Sequence, residues 1–97
     1  MTVLNPLNTP LETFIVRTEA YLDNVVEHAD DQGLFIASYL QGHFAVAAGQ
    51  SQVRQMTQVT QLAELMDESL TAAFDNNELA EEDQKQVIQL WQLLLAS

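Results

Sequence analysis

The longest stretch without a fixed charge constrains the fold most strongly. It covers residues 32–53, between Asp31 and Arg54. About 20 uncharged residues are long enough to span a membrane as a helix. However, Gln41, Gly42 and His43 lie in the middle of the stretch, and polar side chains are unfavourable at that depth. We therefore predict a central helix that neighbouring helices bury on most sides.

The composition narrows the class of protein. The 97 residues include three glycines, two prolines and 47% hydrophobic residues, which favours one helical domain over a turn-rich sandwich or a disordered chain. The absence of cysteine excludes disulfides and thiolate sites. The net charge of −11 repels nucleic acids and anionic membranes, so neither is an expected partner. The start of the chain has no signal-peptide pattern, so a cytoplasmic location is expected.

Apolar residues at helical spacing predict a single-domain, all-α, up-down bundle of four helices. The first helix has a clear start, because Thr9, Pro10 and Glu12 fit a capping box with proline at the first helical position. Gly49 is suited to end the second helix with a left-handed cap. We predict a flexible arm over residues 1–8 and a bundle domain over 9–97, with helices at about 10–29, 31–49, 53–74 and 81–95.

Small residues line one edge of the second predicted helix. Ser38, Gly42, Ala45 and Gly49 alternate spacings of four and three, as in the seam between two helices at a shallow crossing angle. Close backbone packing would explain a glycine inside a helix. We therefore expect Gly42→Ala to lower stability by about 1 to 3 kcal/mol through overpacking.

His43 points to the other side of the second helix and has two interpretations. An antiparallel hairpin would place it level with Glu19, so a His43–Glu19 bond could fix the helix register. The alternative is an ordinary structural histidine. His28 belongs to a cluster with nearby carboxylates, which helix-end charge complementarity explains. We predict no metal site, cofactor or catalytic group.

The last predicted helix has more apolar surface than one packing seam needs. Leu90 lies at the edge of its buried stripe, and Leu93 lies well away from it. The two leucines are therefore a candidate self-association surface, although a partly exposed terminus fits the pattern equally well.

Two segments resemble the YfcL family of small bacterial proteins. They are "VVEHADDQGLFIASYLQGHF" and "NELAEEDQKQVIQLW". The likeness covers most of residues 12–95 and is weakest in the third predicted helix. The chain departs from the family at Gly33 and at Ala80-Glu81, both at helix ends. The resemblance implies a compact helical fold in a bacterial cytoplasm and implies no activity. The matching residues are His28-Ala29, Asp31, Leu34-Phe35, Tyr39-Leu40, Gly42-His43, Glu78-Leu79, Asp83-Gln84 and Trp91.

Two functions remain open from the sequence. The first is an acidic, non-catalytic module that binds a protein partner, which the net charge suggests is basic, or a second copy of itself as a homodimer. The second is a bundle, or even an enzyme, that binds a small ligand or metal in a pocket near Tyr39, His43 and Glu19. Gly42 and His28 are the remaining candidates for a structural or ligand-pocket role.

Overall fold

The computed structural model describes residues 9–97, which form an all-α bundle. The predicted fold class is confirmed. The predicted arm over residues 1–8 lies outside the described residues. No helix within residues 9–97 combines the length and the hydropathy that crossing a membrane requires. The four helices are α1 (Pro10–His28), α2 (Asp31–Val53), α3 (Val59–Asp75) and α4 (Glu81–Ala96).

Side-chain caps set the first two helix starts. Thr9 Oγ1 accepts a hydrogen bond from the Glu12 amide at 3.0 Å, which is half of the predicted capping box. Asp30 Oδ1 accepts from the Gly33 amide at 2.8 Å. The start of α4 has no such cap, since Ala80 precedes it, but its first turn is acidic and so complements the helix dipole.

The end of α2 differs from the prediction. Gly49 is helical, has no positive φ, and the helix continues to Val53. The left-handed position belongs to Gln55, with a φ of 56°. The Met56 amide donates to the Ser51 carbonyl at 2.9 Å, as in a Schellman motif. The interpretation of Gly49 as a left-handed cap misplaced this boundary, because the helix ends at a non-glycine residue held by backbone hydrogen bonds.

The start of α3 also differs from the prediction, because α2 ends later than predicted. The turn after α2 occupies the residues assigned to the start of α3, so α3 begins at Val59 instead of residue 53. Gln61 Oε1 accepts the amides of Thr57 and Gln58 at 3.1 and 3.0 Å. At the other end of α3, Asn77 takes a φ of 58°, and the helix closes with a second Schellman motif.

Helix α2 lies at the centre of the bundle and packs against α1, α3 and α4. An aromatic cluster holds three of these helices together. The ring centroids of Phe14, Phe44 and Trp91 lie 6.0 to 6.2 Å apart, in edge-on or tilted arrangements. The charge-free stretch is therefore central, as predicted, but the prediction that its neighbours bury it on most sides is wrong. The buried α2 side chains are Ile36, Ala37, Leu40, Phe44, Ala47, Ala48 and Ser51.

The opposite side of α2 is exposed, which contradicts the predicted close packing of its small residues. Ser38, Gly42, Ala45 and Gly49 are all exposed. A Cβ atom added at Gly42 or Gly49 would have no neighbour within 4 Å. The expectation that Gly42→Ala overpacks the bundle is therefore wrong. The periodicity of the small residues located one face of α2 correctly but did not show whether another helix covers that face.

Candidate interaction surface

The exposed side of α2 forms one continuous surface, which we call the α2 face. At about 100° per residue, its members fall within an arc of roughly 120°. The large apolar members are 39 to 85% exposed, and Val53 is the most exposed. The α2 face consists of Leu34, Phe35, Ser38, Gly42, Ala45, Val46, Gly49 and Val53.

The α2 face is lowest along the row of small residues at its centre. Leu34 and Phe35 stand near the start of the helix, Val53 stands at its end, and Val46 stands at one edge of the small-residue row. Bare glycine positions allow another backbone to approach closely. The row of small residues therefore leaves the backbone of α2 open to close approach.

The α2 face also differs from its surroundings in charge. Residues 32–53 carry no fixed charge in a chain whose net charge is −11. Exposed apolar residues scattered singly are normal on a soluble protein, but a contiguous uncharged patch is typical of an interaction site. Solvation alone would favour charged side chains at these positions.

His43 lies outside the α2 face and faces α3. Its Nδ1 is 2.6 Å from Ser69 Oγ, and its ring lies 4.8 Å from that of Tyr39. The predicted His43–Glu19 bond is therefore wrong. Helical projection placed His43 correctly on the side away from Gly42, but it could not show which neighbouring helix covers that side.

Tyr39 bonds to the connection between α3 and α4. Its hydroxyl donates to Glu78 Oε1 at 3.0 Å. Burial raises the pKa of Tyr39 to about 12, and the hydrogen bond to Glu78 and the charge of that carboxylate act in the same direction. The Tyr39–Glu78 and His43–Ser69 contacts together join α2 to α3 and to the turn that follows it. Neither Glu78 nor Ser69 was predicted, because their long sequence separation from α2 leaves no periodic signal.

Glu19 lies beside the Ala45 edge of the α2 face, away from Tyr39 and His43. It lines a cavity of about 430 Å³ together with Asp23, Gln41, Phe44 and Ala45. Gln41 Nε2 donates to Asp23 Oδ1 at 2.6 Å, and this bond joins α1 to α2 in place of the one predicted for His43. The proposed pocket around Tyr39, His43 and Glu19 is therefore not assembled.

His28 is exposed at the end of α1, and its Nδ1 lies 2.9 Å from the carbonyl oxygen of Asn24. This local contact fits a helix-terminal role. Within residues 9–97, no three histidine or acidic side chains come together in a way that could hold a metal ion. The cluster of charges around His28 in sequence is therefore not a cluster of ligands in space.

The candidate surface on α4 is only partly present. Leu93 is 56% exposed, whereas Leu90 is half-buried and packs against the core. Leu93 borders a cavity of about 330 Å³ with Arg17 and Tyr21 of α1. Ser97 lines the same cavity, and the Arg17 guanidinium donates a hydrogen bond to its carbonyl oxygen at 3.0 Å. This surface is shorter than the α2 face and carries a cation.

The fold and these surfaces define a small, acidic four-helix protein with an uncharged helix face. Comparison with known proteins identifies its family. The YfcL family model, described as YfcL protein, matches residues 12–96 of this chain. The chain belongs to the YfcL family, which confirms the resemblance predicted from the sequence.

A relative in Escherichia coli (strain K12) is similar over most of its length. This protein, "Uncharacterized protein YfcL", is 31% identical over 81 residues, which cover 84% of this chain and 88% of the relative. No solved structure matches the chain.

Proposed function

We propose that this protein is a non-catalytic interaction module that binds another protein chain through the α2 face. The observation that carries the proposal is the exposure of four large apolar side chains, Leu34, Phe35, Val46 and Val53, along a helix face without charge. Burying such a surface against a partner is favourable, at roughly 25 cal/mol per Å² of apolar area.

The polar contacts around His43 support a structural role for that residue. The Glu78 carboxylate bonds to Tyr39, whereas His43 contacts Ser69. A nucleophile and base would need a third group that orients the base, together with donors for a developing negative charge. The Tyr39–Glu78 and His43–Ser69 contacts instead join neighbouring elements of the bundle, which is consistent with a non-catalytic binding module.

Site-specific photo-crosslinking tests the proposal. A photo-reactive amino acid placed at Ala45, on the α2 face, should form protein adducts in cells, and Gly42→Glu in the same chain should abolish them. The matched control places the amino acid at Ala72, an exposed alanine on α3. The absence of adducts at Ala45, or equal adducts at both positions, would contradict the proposal.

A further inference from the structure

We propose that the occupant of the α2 face is the α2 face of a second copy of this chain, with the two helices antiparallel. This inference rests on the proposed function and names its partner. Three observations support it: the order of small and large residues along α2, the charges at the two ends of α2, and the net charge of the chain.

The α2 face is complementary to itself in an antiparallel arrangement. A two-fold axis at the midpoint between residues 43 and 44 places Gly42 opposite Ala45 of the copy and Ser38 opposite Gly49. Small residues thus meet small residues at the centre, where the two backbones come closest. Phe35 of each copy then lies within about 2 Å, along the helix axis, of Val53 in the other. Such a two-fold contact is the commonest form of homo-oligomer.

The ends of α2 favour the same orientation. Asp30 and Asp31 lie at its start, and Arg54 follows its last residue. An antiparallel pair brings the end that carries Arg54 beside the acidic end of the other copy, and it also opposes the two helix dipoles. A parallel pair would place like charges together at each end, so the charges of α2 select the antiparallel arrangement.

Net charge explains why this face in particular suits a second copy. Two chains of −11 repel one another, so they associate most readily where the contact holds few carboxylates. The α2 face contributes none of its own, and Glu19 and Asp23 of α1 lie only at its Ala45 edge. The α2 face spans residues 34–53, or about 30 Å of helix, and two such faces bury on the order of 1,000 Å². That area is at the lower end of specific interfaces, so we expect a reversible dimer.

Sedimentation velocity at several protein and salt concentrations tests whether the partner is a second copy of this chain. Between about 10 and 500 μM, a range that covers weak and reversible association, the chain should shift from monomer to dimer. Added salt should strengthen the dimer at least several-fold, because it screens the repulsion between the two acidic chains. Gly42→Glu should abolish the dimer, whereas Ala72→Glu, which adds the same charge on α3, should preserve it. A dimer that survives Gly42→Glu would overturn the inference.

Single cysteines test the orientation, since the chain has none of its own. An equimolar mixture of Ser38→Cys and Gly49→Cys chains should oxidise mainly to the mixed disulfide. In the antiparallel pair, two copies of residue 38 lie about 16 Å apart along the axis, whereas a disulfide needs Cα atoms within about 7 Å. Predominant 38–38 and 49–49 disulfides would show a parallel pair and overturn the proposed orientation.

The two proposals fail in distinguishable ways. A chain that stays monomeric at every concentration and salt, yet gives adducts from Ala45 with a different protein, overturns only the second-copy inference. Binding to a basic protein would also weaken with salt, the opposite of the trend expected for a second copy. A monomer that gives no adducts from Ala45 overturns both proposals.

Discussion

Glycine placement illustrates what the sequence reveals at the scale of single residues. The sequence pattern predicts close packing at Gly42, but Gly42 is exposed, and the crowded glycine is Gly33. A Cβ atom there would lie 3.0 Å from Ala29 Cβ and 3.2 Å from Asp30 Oδ1. Both glycines look alike in sequence, because the difference depends on how the α1–α2 turn folds back on itself.

Gly42→Ala should therefore stabilise the monomer. Alanine is favoured over glycine inside a helix by about 0.5 to 1 kcal/mol, and at residue 42 no neighbour opposes the added methyl group. Gly33→Ala should gain less, since its methyl group meets Ala29 and the capping carboxylate. Urea unfolding of dilute protein, followed by the fluorescence of buried Trp91, measures both. A destabilised Gly42→Ala chain would restore the close-packing interpretation.

Tyr39 should show a pH dependence in the alkaline range. Because folding raises the pKa of this phenol from 10.0 to about 12, its contribution to stability is complete below pH 10 and is lost as the pH rises through 12. Phenolate absorbance, taken as the difference between the parent and Tyr39→Phe chains, measures the pKa. Glu78→Gln should lower it, because the carboxylate no longer opposes the phenolate. An unchanged pKa in Glu78→Gln would disprove the role of Glu78.

At the scale of helices, the sequence predicted where the first, second and fourth helices begin, because Thr9, Asp30 and the acidic first turn of α4 are local signals. It misplaced the end of α2 and the start of α3. The left-handed residues there and after α3 are Gln55 and Asn77, not glycines. A helix end determined by backbone bonds to a non-glycine residue carries little sequence signal.

Replacing Gln55 by glycine should therefore stabilise the left-handed turn that ends α2. Gln55→Gly removes the side chain from a residue at a φ of 56° and should raise the unfolding free energy by about 0.5 to 1 kcal/mol. The matched control is Gln50→Gly, an exposed position inside α2, which should lose a similar amount. Denaturant unfolding compares the two. A loss of stability in Gln55→Gly would show that the glutamine is not strained in the folded chain.

For the bundle as a whole, the helical spacing of apolar residues correctly predicted an all-α fold, and the charge-free stretch correctly predicted a central helix. The prediction that neighbouring helices bury α2 on most sides is wrong, because one side of α2 is exposed. Apolar residues occur on both sides, so the pattern of α2 contains almost no contrast between core and surface. The candidate interaction surface exists because the other three helices pack on a single side of α2, a tertiary arrangement that the sequence of α2 does not encode by itself.

Alkylation of Ser38→Cys tests most directly the claim that α2 has a bare face which a second copy covers. In dilute solution, this single thiol should react about as fast as that of Ala72→Cys, because both positions are exposed. As the protein concentration rises, its rate should fall while the rate of Ala72→Cys stays constant. A Ser38→Cys thiol that reacts slowly even when dilute, or equally fast at every concentration, would contradict the account.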